Sequence, residues 1–233
     1  MPMGYQAHTE MVPDGDAGIE RTLSSMRRFI ERGSGQAEVI RLARNIVRFV
    51  PERDVDGEAK ALHAWVRGHL RFTKDPVNKE LVTDPEYMLR DMKNGVITGD
   101  CDEATTLLGA LLQAIGIETE PVVVSPDEGS YTHVLLRYRS PSRGWVTLDP
   151  ITNNQPGWFP MGAARVGTYK NGRINPSSPV TVQGLSGYPC MGGPIADAVR
   201  RAGDKVEPAT NLIWFGIGVL TVWKFLKTGR GLG

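Results

Sequence analysis

The feature that most constrains this chain is a change of hydrophobic period part-way along it. Before residue 115 the apolar residues recur at helical spacing, and afterwards they alternate. Ile19, Leu23, Met26 and Ile30 predict a helix over 17–32. Val39, Leu42, Ile46 and Val50 predict a second over 35–49, stopped by Pro51. Ala61, Leu62, Trp65, Val66 and Leu70 predict the buried face of a third over 57–69, and residues 71–83 read as irregular. Asp84 and Pro85 form an N-cap and first-turn pair for a short helix to about 92, ended by Asn94-Gly95. Ala104, Leu107, Leu108, Leu111 and Ile115 then line one face of a helix over 101–115. Residues 119–125, 131–139 and 144–149 read as strands, the last two joined by the loop Ser140-Pro141-Ser142-Arg143-Gly144. Asn171-Gly172 predicts one more hairpin over 165–174. Helices first and strands afterwards predict an α+β fold, with N-terminal helices packed on an antiparallel β-sheet.

Four segments follow: an extended arm over 1–16, one folded domain over 17–175, a Gly/Pro-rich linker over 176–209 with a short helix near 194–202, and an apolar C-terminal segment over 210–233. A net charge of +1 sets up no field that would attract nucleic acid. The N-terminus has neither the basic nor the apolar region of a secretory signal, so synthesis in the cytoplasm is expected. Residues 212–226 hold the one membrane-like run. It is shorter than the roughly 20 apolar residues a spanning helix needs. Membrane association, docking on a partner subunit and docking on the chain's own core all stand as readings of it, with Lys224, Lys227 and Arg230 placed to meet anionic headgroups.

The chemistry centres on Cys101, one of two cysteines; the other is Cys190. Cys101 lies one turn before Ala104 and so extends the inward face of its helix at the N-terminus. Unpaired N–H groups and the dipole there favour thiolate and suit an oxyanion. Gly99 lets the chain turn tightly before it. Asp102 and Glu103 oppose a thiolate, so a cationic partner is needed. A small buried hydrophobe is the plain alternative for a lone cysteine. His133 is the candidate base, on a strand where Tyr131, His133, Leu135 and Arg137 share a face. Asp149 lies on the next strand, on the face of Trp145 and Thr147. If Arg139 sits opposite Trp145, the register is even, and His133 and Asp149 are opposite or diagonal neighbours within roughly 4.5–8 Å. An odd register would part them onto opposite faces. A carboxylate beside an imidazole fixes its tautomer and stabilises the imidazolium that Cys101 requires.

The stretch GDCDEATTLLGALLQAIGIETEPVVV, then THVLLRY, then GWVTLDP, resembles the core of transglutaminase-like cysteine peptidases. ALHAWVRGHLRFTKDP is similar to the helix and aromatic-plus-DP segment that precede that core. The resemblance spans roughly residues 57–151 and implies a papain-like, transglutaminase-like fold. It also implies Cys101 as nucleophile, His133 as base and Asp149 as orienter, acting through a thioester on peptide or isopeptide amides. The short interval between Cys101 and His133 is typical of compact microbial members, and GDCDE resembles versions encoded by bacteriophages. A virion-borne enzyme cutting cell-wall peptide is one setting this implies. A catalytically silent assembly module and a crosslinking transglutaminase are the alternatives.

No cofactor or metal is expected, because the cysteines and histidines lack ligand spacing. His63 and His69, six residues apart on one helix, read as surface or helix-end residues. Trp65 reads as core. Trp145 reads equally as a shield for the dyad or as core, and Trp158 as a groove wall or a loop anchor. Cys190 reads as a bystander in a Gly-rich stretch.

Overall fold

The computed structural model describes residues 8–10, 16–75, 80–160 and 163–177. Most of the arm, the linker beyond residue 177 with its expected helix, Cys190 and the apolar segment lie outside the described residues. No helix among the described residues is long and apolar enough to cross a membrane.

Three helices open the domain: α1 (Asp16–Ser34), α2 (Ala37–Val47) and α3 (Val55–His69). On α1, Ile19, Leu23, Met26 and Ile30 are all buried, as their spacing predicts. On α2 the inward face is centred on Val39 and Ala43, with Leu42 and Ile46 packed at its edge. On α3 it comprises Ala59, Leu62, His63 and Val66. Ala61 and Trp65 are only half-buried, and Trp65 stacks on His69 with ring centroids 4.2 Å apart. α4 (Pro85–Arg90) starts as read, with the Asp84 carboxylate accepting from Glu86 N–H at 2.8 Å.

Residues 71–83, expected to be irregular, contain strand residues. β2 (Leu70–Phe72) pairs in parallel with β4 (Ile97–Gly99), and β3 (Glu80–Val82) pairs antiparallel with β1 (His8–Glu10) inside the expected arm. These three-residue strands carry no alternation long enough to read; distant partners alone make them strands.

Helix α5 (Cys101–Ala114) is the centre of the fold. Every residue from Cys101 to Leu112 is buried, so the one-sided face read from its sequence is too narrow. Helices α1 to α4 pack on it, and it also lies on a five-stranded antiparallel sheet. Gly109 permits the close approach of α1: a Cβ there would lie 2.8 Å from Ile30 Cδ1.

The sheet runs β7 (Gly144–Leu148), β6 (His133–Ser140), β5 (Thr119–Ser125), β8 (Arg165–Lys170), β9 (Arg173–Ser177). Leu136, Tyr138, Val146 and Leu148 join the helical core, whereas Val122, Val124, Leu135 and Val166 face the other way onto Phe159 and Ala163. The β8–β9 turn is the expected Asn171-Gly172, with φ of 55° and 80°. β9 takes in Pro176, the first residue assigned to the linker. An edge strand tolerates proline because one side of it needs no N–H.

One polar cluster ties the β6–β7 hairpin to α3. The Tyr138 hydroxyl donates to Asp56 at 2.7 Å, Ser140 Oγ donates to it at 3.2 Å, and Arg143 pairs with it at 3.2 Å. The Tyr138 hydroxyl beside it holds the Asp56 carboxyl below the usual carboxylate range. Asp56→Ala should lower the unfolding free energy by about 1–3 kcal/mol, because it leaves the hydroxyl of a fully buried tyrosine short of its acceptor. Urea unfolding followed by circular dichroism checks this.

Candidate active site

The register of the β6–β7 hairpin decides whether a dyad exists. Arg139 lies opposite Trp145 and Leu136 opposite Leu148, so the register is even and Asp149 follows directly on the paired end of β7. His133 opens β6, and its Nε2 lies 2.9 Å from Asp149 Oδ2, with both side chains buried. A carboxylate can only accept, so the proton sits on Nε2 and the lone pair of the neutral ring on Nδ1. The other oxygen, Oδ1, accepts from Ile151 N–H at 3.0 Å and Thr152 N–H at 3.4 Å. Burial alone would raise this carboxyl. The His133 hydrogen bond, its charge and the two N–H groups outweigh that, and the Asp149 carboxyl titrates below its ordinary range.

Cys101 opens α5 and is fully buried. It belongs to one apolar cluster with Val123, Tyr131 and Val134, against which Ile151 packs. Val134 follows His133, and Ile151 lies two residues beyond Asp149. One turn along α5, Thr105 Oγ1 donates to the Val134 carbonyl at 3.4 Å. The start of α5, the start of β6 and the loop after β7 therefore share one end of the domain. The Cys101 thiol donates to Asp102 Oδ1 at 3.5 Å.

The local sequence around Cys101 forms a full capping box. Asp100 accepts from Asp102 N–H at 3.0 Å and from Glu103 N–H, while Glu103 Oε2 accepts from Asp100 N–H at 3.0 Å. The Asp100 carbonyl takes Ala104 N–H at 3.1 Å. The N–H groups of residues 102–104 are thus satisfied by Asp100, which corrects the expectation that the first helical turn offers them to an oxyanion. Gly99 is needed for space: a Cβ there would lie 2.6 Å from Glu103 Cβ.

Sequence reasoning missed His63. Read as a surface or helix-end residue, it is 1% exposed, and its Nε2 lies 2.8 Å from the Asp149 carbonyl. The partner is 86 positions away, so helical spacing alone carried no sign of it. Trp145 is not a core residue. It is half-buried, with the guanidinium carbons of Arg137 and Arg139 4.6 and 5.6 Å from its ring centroid. The Trp158 carbonyl accepts from Thr147 Oγ1 at 2.6 Å.

Two groups of ligand-type atoms, in Asp100, Cys101 and Asp102 and in Asp75, Asp100 and Glu103, each lie within 4.8 Å of one another. The capping bonds above already account for contacts of Asp100 and Glu103. Burial, with the Asp75 charge adding, pushes the Glu103 carboxyl up to about 7 against the Asp100 hydrogen bonds that lower it. A carboxyl whose folded pKa is raised binds its proton more tightly when folded. It therefore costs stability as pH rises from its ordinary 4.5 towards 7. Glu103→Gln keeps an oxygen to accept from Asp100 N–H and cannot ionise. Its stability should fall less than that of the unaltered protein across that window, as thermal melts at stepped pH would show.

Residues 40–150 match the family model of the transglutaminase-like superfamily. No curated protein matches the chain. A candidate protease from Parabacteroides distasonis ATCC 8503 superposes with a TM-score of 0.52 at 15% identity, over 70% of this chain and 31% of that one. A candidate cysteine protease from Cytophaga hutchinsonii gives a TM-score of 0.41 at 13% identity, over 66% of this chain and 53% of that one. Legionella pneumophila LapG gives 0.36 at 14% identity, over 56% of this chain and 75% of that one. At 15% identity the Parabacteroides likeness is one of fold. The chain spans about a third and about half the length of the first two. Over residues 40–150, a little under half of its length, this chain is similar to the transglutaminase-like superfamily.

Proposed function

We propose that the chain is a thiol hydrolase that cleaves peptide or isopeptide amides through a thioester on Cys101. The observation that carries this reading is the buried His133–Asp149 hydrogen bond at the end of the sheet where α5 begins with Cys101. Asp149 holds the Nε2 proton of His133, so Nδ1 takes the thiol proton. The resulting imidazolium offsets the negative field of Asp102 around the thiolate. Thiolate attack forms the S–C bond. Collapse of the tetrahedral adduct breaks the C–N bond, and His133 returns its proton to the leaving amine. Water, deprotonated by His133, then attacks the thioester and releases the acid and the thiol.

The fold resemblance to proteases supports a peptide or protein substrate. GDCDE, with its likeness to phage-encoded versions, extends the reading to a particle-borne enzyme acting on cell-wall peptide. One observation favours a second reading: Cys101 is 0% exposed, as a silent binding module would allow. Accessibility of the thiol separates the two. In the hydrolase, iodoacetamide labels Cys101 with a pH midpoint below that of free cysteine. Cys101→Ala then lowers hydrolysis of peptide, isopeptide or cell-wall peptide substrates by about a thousandfold or more. Unchanged hydrolysis in Cys101→Ala, or a thiol that resists labelling in the native state, rejects the proposal. Incorporation of a labelled amine in place of water would mark the crosslinking alternative.

A further inference from the structure

We infer that His63 is a positioning residue for the triad, acting through the backbone of Asp149; this rests on the proposed hydrolase reading and deepens it. Asp149 lies just beyond the last paired residue of β7, so the sheet ladder does not hold it. Its side chain is fixed by His133 on one oxygen and by its own loop on the other. Those bonds set the carboxylate relative to its loop and to His133 on β6, but do not tie the loop to α3. His63 supplies that tie. It is buried in the middle of α3, and a carbonyl can only accept, so its Nε2–H donates to the Asp149 carbonyl at 2.8 Å. Burial lowers the His63 pKa and keeps the ring neutral, against the opposing pull of Asp149, while nearby Arg67 adds to the lowering.

A second tie runs parallel to the first. Arg67, one turn further along α3, donates to Asn153 Oδ1 at 2.6 Å. Residues 149–153 are therefore pinned to two successive turns of one helix. The outer tie is exposed and the inner one is buried. Water replaces the outer tie readily, whereas losing the inner one leaves a buried carbonyl without its donor. Displacement of the Asp149 backbone moves Oδ2 away from His133 Nε2. Imidazolium then loses its carboxylate and Cys101 its counter-charge.

The test is the pH dependence of iodoacetamide labelling of Cys101 in the full chain, measured for His63→Leu, His63→Gln, His63→Asn and Asp149→Asn. A glutamine amide nitrogen reaches about as far as imidazole Nε2; an asparagine amide falls short. His63→Leu and His63→Asn should raise the labelling midpoint by about one pH unit or more, the size expected when an opposite charge is lost. They should also cut kcat/KM on any substrate the protein hydrolyses by about tenfold to a hundredfold, the size expected of an ångström-scale misplacement. His63→Gln should keep the midpoint of the unaltered protein. The double variant His63→Asn with Asp149→Asn should be no worse than Asp149→Asn alone, because both act through one group.

If His63→Leu does not fold, the Gln and Asn pair decides. Equal midpoints in Gln, Asn and the unaltered protein would overturn the inference and leave His63 a packing residue. A shift in Asp149→Asn with none in His63→Asn would do the same while sparing the hydrolase reading. No shift in Asp149→Asn would remove the triad itself, and this inference with it.

Discussion

Helix α5 is wrapped on all sides, and the rest of the domain answers to that burial. A helix exposed on one face can leave its first N–H groups to water. This one cannot, because its N-terminus is as buried as its middle. Asp100 and Glu103 satisfy those groups from within the segment GDCDE. The same solution places two carboxylates in a dry environment and pushes Glu103 towards neutrality. Glu103, which reads in sequence as opposing a thiolate, is thus also part of the hydrogen bonding that lets α5 enter the core.

The consequence for chemistry is that Cys101 sits where negative charge is already costly. Its near neighbours are carboxylates and apolar side chains of the cluster shared with Val134. In the proposed hydrolase, compensation comes from the sheet, which delivers an imidazole already paired to a buried carboxylate. That pairing depends on hairpin register, and the register is stabilised far from the site. Tyr138, Ser140 and Arg143 gather on Asp56 at the opposite end of β6 and lock the hairpin to the first turn of α3. Helix α3 therefore holds the hairpin at both ends, through Asp56 at one and His63 at the other.

Much of this was legible in the sequence. The long periodic runs named α1, α2, α3 and α5, and the alternating runs named β5, β6 and β7, because each buries a face whose spacing is local information. Asp84-Pro85 and Asn171-Gly172 were legible because capping and turn chemistry are local as well. The short strands β2 and β3 were not, since three residues carry no pattern. The burial of His63 was not, since its partner lies on a loop 86 residues away. The surroundings of Trp145 were not legible either: its strand left shield and core equally open, and only the neighbouring Arg137 and Arg139 show that it lies under charge.

The sequence by itself determined that Cys101 begins a helix, that His133 and Asp149 sit on successive strands, and that an even register would set them on one face. These are consequences of period and spacing. Tertiary structure decided the register itself, the complete burial of α5, the use of the first-turn N–H groups by Asp100, and the contact of His63 with the Asp149 backbone. Each of these depends on which surfaces meet. A residue's own segment states how its side chain is spaced, but only packing states what that side chain finds when it arrives.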